Sequence, residues 1–328
     1  MGAPLLELNG LSTHYISARG TRVTRAVEDV SLTLDAGQTL GIVGESGSGK
    51  TTLALSILRL LPPGARIVAG ELRLEGEDLL AKSAKEMRHI RGKRIAMILQ
   101  DPMASLNPLF TIGDQVSEPI RVHEHATRRS AWDQARRLLA SVRIAAPERR
   151  VREFPHEMSG GMRQRIVGAI AISCGPRLLI ADEPTTSLDV TIQAQYLRLL
   201  RDLQRQHGLA LIFITHNLGI VARMCDTVAV MYAGRLVESG PVRRIFDAPA
   251  HPYTRALLES IPRLSDVDGR LTAIDGQPPD PAALPGGCAF HPRCLKALDR
   301  CRVEAPPRFS VGPQHTAACW LEEGSPLA

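Results

Sequence analysis

Residues 44–51 read Gly44-Glu45-Ser46-Gly47-Ser48-Gly49-Lys50-Thr51, a glycine-rich run that predicts the structure on either side of it. It matches the spacing G-x-x-x-x-G-K-[ST], in which glycines let successive backbone N–H groups turn toward phosphate oxygens. Lys50 is predicted to bring a positive charge to the β- and γ-phosphates, and Thr51 to offer its hydroxyl to Mg²⁺. An apolar strand, Thr39–Val43, precedes the run, and helical spacing follows over Lys50–Leu61. This strand–loop–helix order predicts a site for ATP or GTP.

Strands and helices alternate along much of the remaining chain. Apolar runs predict strands at Leu178–Ala181 and Leu209–Thr215, and helical spacing predicts helices at Arg165–Ser173 and Ile192–Gln206. This alternation is typical of an α/β fold in which helices cover both faces of a mostly parallel sheet.

Three other regions depart from that alternation. The first residues read as strands, with a turn predicted at Asn9-Gly10. Residues 105–165 have a helical character, and the chain after His251 is rich in proline and loops. We therefore predict a nucleotide-binding domain over residues 1–250, with a helical subdomain at about 105–165, and a C-terminal extension over residues 251–328.

Composition excludes several classes of protein. With 328 residues, 44% apolar and 23% charged, the chain can bury a sizeable core and is not disordered. The net charge of +6 points to no particular acidic partner. No apolar run approaches the roughly 20 residues that span a bilayer, and the N-terminus lacks the pattern of a signal peptide. We expect a cytosolic protein that is peripheral to a membrane at most.

Two adjacent carboxylates follow the predicted strand Leu178–Ala181. Asp182 stands where a strand beside a phosphate loop would hold Mg²⁺, usually through water. Glu183 can orient or deprotonate an attacking water. An apolar run followed by Asp-Glu is weak evidence alone, but together with the phosphate loop it indicates hydrolysis of the nucleotide.

The segment Met158-Ser159-Gly160-Gly161-Met162-Arg163-Gln164-Arg165 resembles the signature of the ATP-binding subunits of ABC transporters. A serine and two glycines at the start of a helix can form an anion-binding nest. In that family the nest reaches the γ-phosphate held by the opposite subunit of a head-to-tail dimer. Met162 stands where the family commonly has glutamine. The resemblance implies an ABC ATPase core made of the parallel sheet, an antiparallel β subdomain and a helical subdomain.

Further residues match other elements of that family in the expected order. Gln100 matches the glutamine that reports on Mg²⁺ and on the transmembrane partner, and His216 matches the histidine that contacts the γ-phosphate. Ser187-Leu188-Asp189 matches the segment at the dimer seam, and Tyr15 is the candidate for stacking on adenine. The resemblance assigns nucleotide contacts to Gly44 through Thr52, as well as Mg²⁺ contacts to Thr51, Gln100 and Asp182.

The last part of the chain carries four cysteines, Cys288, Cys294, Cys301 and Cys319, in the pattern C-x₅-C-x₆-C-x₁₇-C. In a reducing compartment such a cluster favours metal ligation over disulfides. The close cysteine pairs of zinc knuckles are absent, and four thiolates can also hold a [4Fe–4S] cluster. Residues 251–258 and 286–294 are similar to the extension of the oligopeptide/dipeptide-permease ATPases, a resemblance that implies the iron–sulfur cluster. Zinc and free thiols stay open as alternatives.

The resemblance implies the ATP-hydrolysing subunit of an ABC importer of di- or oligopeptides, at the cytoplasmic face of the inner membrane. The implied partners are two transmembrane permease subunits, a second ATPase subunit that is a paralogue, and an extracytoplasmic substrate-binding protein, with no nucleic acid. One alternative is an importer of nickel or another small solute. Another is a soluble ABC ATPase acting on ribosomes or DNA, but such proteins usually fuse two ATPase units or carry a long coiled coil. This chain has one phosphate loop.

Overall fold

The computed structural model describes residues 3–101, 105–186, 188–261 and 273–324. The strands in chain order are β1 (Leu6–Ile16), β2 (Val23–Leu34), β3 (Thr39–Val43), β4 (Ala65–Leu74), β5 (Glu77–Asp78), β6 (Ile95–Ile98), β7 (Leu178–Asp182), β8 (Ala210–Ile214), β9 (Thr227–Tyr232), β10 (Arg235–Pro241), β11 (Phe309–Gly312) and β12 (His315–Ala317).

The helices in chain order are α1 (Lys50–Leu58), α2 (Ala84–Ile90), α3 (Ile112–Glu124), α4 (Arg128–Ser141), α5 (Pro147–Arg150), α6 (Gly160–Ile172), α7 (Val190–His207), α8 (Leu218–Met224), α9 (Val242–Asp247), α10 (Pro252–Glu259) and α11 (Arg300–Val303). The fold is α/β, with parallel and antiparallel strand pairs, as predicted.

Two compact units divide the chain. The first comprises Met1–Leu34, Thr39–Leu80 and Ile214–Ala328, and the second comprises Asp35–Gln38 and Ala81–Phe213. Each unit has its own buried apolar residues, and each holds part of the predicted site.

The first unit contains an antiparallel sheet in the order β2-β1-β4-β5 and a second set of strands in the order β11-β12-β10-β9-β3. In the second set β3 and β9 run parallel, and the hairpin β9–β10 is antiparallel. Every residue of β3 is buried, because the strand lies inside the unit and consists of small and branched residues. Val43 at its end belongs to an apolar cluster that also includes Val221 of α8 and Val230 of β9.

The second unit contains β8, β7 and β6 side by side in that order, with β6 and β7 parallel. Its helices α3 and α4 begin at threonine caps. The Thr111 hydroxyl accepts from the N–H of Asp114, and the Thr127 hydroxyl accepts from the N–H of Ser130. The helical character predicted for residues 105–165 includes α4, which buries Ala131, Ala135 and Leu139 on one face.

The turn predicted at Asn9-Gly10 is wrong. Both residues lie within β1, where the pairing with β2 shifts register between Leu8 and Leu11. Gly10 has a φ of +59°, and its N–H donates to the Ser31 hydroxyl at 2.8 Å. A strand bulge uses the same left-handed glycine conformation as a turn, so the dipeptide alone cannot distinguish them.

The C-terminal extension is more ordered than its loop-rich composition indicates. Strand β12 pairs with β10, and β11 extends the same set of strands by pairing with β12. The N–H of Arg25 in β2 donates to the carbonyl of Pro281 at 3.1 Å. Tyr253 and Phe290 are buried in the apolar cluster that contains Val43. The extension is therefore part of the core of the first unit.

Candidate nucleotide-binding site

The phosphate loop connects β3 to α1, as the sequence predicts. Gly49 caps α1 with a φ of +101°, and a Cβ there would lie 2.1 Å from the carbonyl oxygen of Ala26. A Cβ at Gly44 would lie 2.2 Å from the carbonyl oxygen of Met231. Only glycine fits these two positions, because any side chain would overlap the neighbouring backbone. No side chain caps α1, so its first N–H groups are directed toward the loop, as in phosphate sites.

Lys50 spans the loop from inside. Its side-chain nitrogen donates to the carbonyl oxygens of Gly44 at 2.8 Å and Glu45 at 2.9 Å, and to the Ser48 hydroxyl at 3.3 Å. Lys50 is only 7% exposed. These contacts fix a positive charge within the curve of the loop, which is the arrangement that binding of a polyphosphate requires.

Tyr15 and His216, two further predicted site residues of the first unit, lie near the strand and helix that flank the phosphate loop. The Tyr15 hydroxyl lies 3.3 Å from the hydroxyl of Thr52 in α1, and its ring is partly exposed. His216 is exposed and follows Thr215, whose N–H donates to the carbonyl of Ile42 in β3 at 3.3 Å. The contacts of Tyr15 with adenine and of His216 with the γ-phosphate stay predictions.

The second unit brings Gln100 and Glu183 together. Gln100 follows β6 and Glu183 follows β7, and these parallel strands pair through Ile98 and Ala181. The side-chain nitrogen of Gln100 donates to Glu183 Oε2 at 3.2 Å, and the Thr186 hydroxyl donates to the same oxygen at 3.0 Å. Glu183 has a φ of +45°, a costly backbone conformation for this residue type and one typical of functional sites. The two hydrogen bonds fix the orientation of this carboxylate.

Asp182 ends β7 and is buried, in keeping with a carboxylate that is held in place at the strand end. Carboxylate and hydroxyl oxygens are the ligands that Mg²⁺ prefers in proteins. The donor set predicted from the sequence, Thr51, Gln100 and Asp182, therefore fits this cation in chemistry.

The signature segment starts helix α6. The Ser159 hydroxyl accepts from the N–H of Met162 at 3.4 Å, and a Cβ at Gly161 would lie 2.9 Å from Ile192 of α7. The carboxylate of Asp189 caps α7 by accepting from the N–H groups of Thr191 and Ile192, both at 3.0 Å. The start of α6 thus packs beside the start of α7, while Ser187 lies outside the described residues.

The four cysteines of the extension surround one small cavity. Cys288, Cys294, Cys301 and Cys319 all line it, together with His251, and it encloses about 10 Å³. All four are free thiols. Burial raises the pKa of Cys288 to about 11 and that of Cys319 to about 12, and it also raises the pKa of Cys294. These thiols are therefore protonated at neutral pH in the arrangement seen here.

The placement of the four cysteine side chains differs from that in a metal-bound site. Within residues 3–101, 105–186, 188–261 and 273–324, no group of three or more His, Cys, Asp or Glu side chains is placed to hold a metal ion. The cavity has room for about one water molecule and is too small for a four-iron cluster. The donor type is right for iron–sulfur or zinc, but the thiols would have to rearrange and lose protons to bind either.

Comparison with known proteins identifies the family. A family model described as ABC transporter matches residues 27–186, and another, described as the oligopeptide/dipeptide transporter C-terminal region, matches residues 237–301. The probable peptide ABC transporter ATP-binding protein y4tR of Sinorhizobium fredii is 51% identical over 96% of this chain and 94% of its own. The chain belongs to the ABC transporter ATP-binding family. Within that family, it carries the C-terminal region of the oligopeptide/dipeptide transporters.

Other comparisons agree with this ABC ATPase assignment. The oligopeptide transport ATP-binding protein OppD of Bacillus subtilis is 49% identical over 97% of this chain and 88% of its own. The dimeric post-hydrolysis structure of the ATP-binding cassette MJ0796, bound to ADP and Pi, has a TM-score of 0.65 at 24% identity, covering 73% of this chain and 99% of the cassette. The cbiO1 structure from Clostridium perfringens has a TM-score of 0.63 at 25% identity, covering 75% and 92% of the two chains. These structures support the ABC cassette fold.

Sequence reasoning missed three residues that contact the phosphate loop or Glu183. Thr186 holds Glu183, while Tyr253 and Arg293 contact Glu45 in the phosphate loop. Thr186 lies three residues after Glu183, a spacing that could have suggested a local hydrogen bond. Tyr253 and Arg293 are distant in sequence from the loop, and no motif connects them to it.

Among the described helices, none is both long and apolar enough to cross a membrane.

Proposed function

We propose that this protein is the ATP-hydrolysing subunit of an importer that carries di- or oligopeptides across the cytoplasmic membrane. The observation that carries the proposal is a complete phosphate loop with a caged lysine, in a chain that also orients the Glu183 carboxylate through Gln100. The peptide cargo is supported by the names of the relatives, which match nearly the full length of the chain.

The residues divide the chemistry of hydrolysis among them. Glu183 directs a water molecule onto the γ-phosphate and accepts its proton, and Gln100 holds that carboxylate in position. Lys50 offsets the negative charge that develops on the phosphate, and His216 contacts the γ-phosphate. Mg²⁺, when bound through Thr51, Gln100 and Asp182, contributes further charge neutralisation.

Two ATPase subunits act together in this proposal. Ser159, Gly160 and Gly161 of one subunit bind the γ-phosphate held by the phosphate loop of the other, and Asp189 lies at the seam. Ser159 and Asp189 already cap their helices, which fixes both segments in place. The second subunit is a paralogue, so the pair is a heterodimer.

The remaining partners are two transmembrane permease subunits and an extracytoplasmic substrate-binding protein. Residues 101–125 transmit closure of the ATPase pair to the permeases. Leu109, Phe110 and Val122, in the described part of this region, are exposed apolar side chains of the kind that protein interfaces bury. In this proposal the protein lies at the cytoplasmic face of the inner membrane, bound through its partners and without a nucleic-acid partner.

A [4Fe–4S] cluster in the extension is a separate proposal. It is supported by four thiols that converge on one cavity, and it requires that the cavity widen when the thiols are deprotonated. Protein purified without oxygen should contain about four irons and four labile sulfides per chain. The double variant Cys288→Ser, Cys294→Ser should lose both, while Cys174→Ser should keep both. Zinc without sulfide would establish the alternative metal, and metal-free wild-type protein would establish free thiols.

Glu183→Gln tests the hydrolytic role. ATP binding should persist while turnover falls about 1,000-fold, because the amide cannot accept the proton of water. Glu148→Gln is the control, since Glu148 is exposed on another element of the same unit. Turnover of Glu183→Gln at the level of the control would contradict the assigned role.

Affinity purification of the chain from detergent-solubilised membranes tests the transport role. Two permeases, a second ATPase and a peptide on the binding protein are the expected result. Permeases with a binding protein that holds nickel would keep the transporter and change the cargo. Ribosomes or DNA without permeases would overturn the transport function.

A further inference from the structure

An arginine of the C-terminal extension reaches into the phosphate loop. Arg293 ends a short 3-10 helix, His291–Arg293, and directly precedes Cys294. Its guanidinium donates to both carboxylate oxygens of Glu45, at 2.8 and 3.1 Å. The Arg293 side chain is 4% exposed. The Glu45 side chain is 27% exposed, so the pair is partly shielded from water. A two-pronged arginine–carboxylate pair is among the more directional ion pairs in proteins.

Other contacts hold both partners of this pair in place. The Arg293 guanidinium also donates to the carbonyl oxygens of Ile274 and Asp275 and to the Tyr232 hydroxyl. These contacts fix the charge of the arginine without help from Glu45.

Glu45 is in turn held by contacts from the extension and from the loop itself. The extension supplies two of them: the Tyr253 hydroxyl, which accepts from the N–H of Glu45 at 2.9 Å, and Arg293. Within the loop, the Glu45 carbonyl accepts from Lys50 at 2.9 Å and from the N–H of Ser48 at 3.2 Å. The contacts to the Glu45 side chain and to its N–H therefore come from beyond residue 250.

The electrostatics of the loop explain why such a contact matters. Glu45 is the second residue of a loop whose ligand carries several negative charges. An unpaired carboxylate at this position would repel the phosphates and would compete for the Lys50 ammonium. The arginine neutralises the carboxylate and directs it toward the extension, so that the Lys50 charge stays available to phosphate.

We propose that Arg293 is a positioning residue of the nucleotide site, through which the C-terminal extension sets the affinity for ATP. This inference rests on the proposed nucleotide binding and assigns the extension a part in it. Arg293 acts through Glu45, so it shapes the loop without contacting the nucleotide.

A second ion pair provides a matched control. Arg22 of the N-terminal sheet region pairs with Asp280 of the extension at 3.0 Å, but both side chains are more than half exposed. It also joins the extension to the rest of the first unit, yet it lies outside the phosphate loop. Arg22→Gln makes the same change of residue type as Arg293→Gln and also breaks an ion pair with the extension, but it leaves the phosphate loop untouched.

The experiment measures binding of a fluorescent ATP analogue with Mg²⁺ to the full-length chain. Arg293→Gln should raise Kd about tenfold, and Arg22→Gln should change it less than about twofold. Arg293→Lys keeps the charge and should recover part of the affinity, and it serves if Arg293→Gln does not fold. Adding Glu45→Gln to Arg293→Gln should restore most of the lost affinity, because the repelling carboxylate is then gone.

Salt and kinetics distinguish this role from a loss of structure. The defect of Arg293→Gln should shrink between about 50 and about 300 mM salt, because salt screens the repulsion by Glu45. In ATPase assays KM should rise while kcat changes less than about twofold. A Kd equal to that of Arg22→Gln, or a defect that neither salt nor Glu45→Gln relieves, would overturn the inference. Wild-type protein that binds no nucleotide would instead overturn the proposed function.

Discussion

The phosphate loop and the four-cysteine cavity lie in the same unit, and both were visible in the sequence as short motifs. In the loop, Lys50 is already held by carbonyl oxygens and the glycines fit against backbone atoms of Ala26 and Met231. Around the cavity, the four cysteines converge, but burial raises the pKa values of Cys288 and Cys319, and the cavity encloses only about 10 Å³. The phosphate loop is therefore fully formed in the fold, whereas the cysteines would have to rearrange to hold the proposed cluster.

The difference has a physical origin. A phosphate loop binds with backbone N–H groups and one lysine, and the strand and helix on either side fix these groups. A thiolate site binds with side chains that must lose protons and then repel one another until a metal is present. A motif that binds through backbone groups therefore predicts the geometry of its site. A motif that binds through ionisable side chains predicts which donor atoms are present, but not how they are arranged.

Removing the loop lysine should have the largest effect. Lys50→Ala removes the buried positive charge of the loop, and we expect ATP affinity to fall about 100-fold, equivalent to about 3 kcal/mol. Lys85→Ala, an exposed change on α2, is the control. Binding of a fluorescent ATP analogue to the full-length chain provides the measurement. Equal affinities of the two variants would show that the loop is not the phosphate site.

A methyl group in the loop tests how tightly its backbone is packed. Gly49→Ala places a Cβ 2.1 Å from a carbonyl oxygen at a φ of +101°, and we expect the free energy of unfolding to fall by about 3 kcal/mol. Gly37→Ala has a φ of +76° and nothing within 4 Å of its Cβ, so it should cost about 1 kcal/mol. Urea unfolding measures both. Equal costs would mean that the loop backbone adjusts freely.

Changes at the cysteines test the other side of the comparison. If a cluster forms, Cys288→Ser, Cys294→Ser should lower the free energy of unfolding by about 2 kcal/mol under anaerobic conditions, because ligand binding stabilises the folded extension. Cys174→Ser lies outside the cavity and is the control. Denaturant unfolding without oxygen gives the values. A double variant as stable as the control would mean that the extension is complete without a metal.

The smallest predicted effect is a pH dependence of stability caused by His251, a buried histidine beside the cysteines. Burial lowers the pKa of His251 to about 4, and its Nδ1 accepts from the N–H of Tyr253. The unfolded chain binds this proton near pH 6.5 and the folded chain does not, so stability falls as the pH drops from 6.5 toward 4. Between pH 7.5 and 5.5 we expect a loss of about 1 kcal/mol.

His251→Asn should remove this pH dependence, because asparagine can still accept from Tyr253 but does not titrate. His207→Asn, at an exposed position, should keep it. Unfolding curves at the two pH values decide between them. A slope that His251→Asn leaves unchanged would assign the dependence to other groups.

The sequence predicts the elements of this fold where periodicity is strong and local. The strand Thr39–Val43 has the predicted bounds, and the strand predicted at Leu178–Ala181 is observed over Leu178–Asp182, because both follow a clear apolar pattern. The predicted helix after Lys50 ends earlier than expected, at Leu58, since Arg59 adopts a left-handed conformation with a φ of +51°. The strands of the extension were missed because pairing with β10 stabilises them, and their own short sequences carry little signal.

The candidate site was predictable to the extent that its chemistry lies in motifs. Gln100 and Glu183 were each predicted as site residues from a motif, and the parallel strands β6 and β7, which end at the same edge, bring them together. The pair formed by Glu45 and Arg293 could not be predicted, because its members are separated by most of the chain and each looks like an ordinary charged residue. Tertiary packing of the extension creates that contact.

The pairing of β12 with β10 has a consequence for shortened forms of the protein. A chain that stopped at residue 250 would leave one side of β10 without its neighbour and would uncover the apolar surface that Tyr253 and Phe290 now shield. Exposed strand edges next to apolar surface invite association between molecules. We therefore expect that proteolytic loss of the extension would leave a remnant that self-associates.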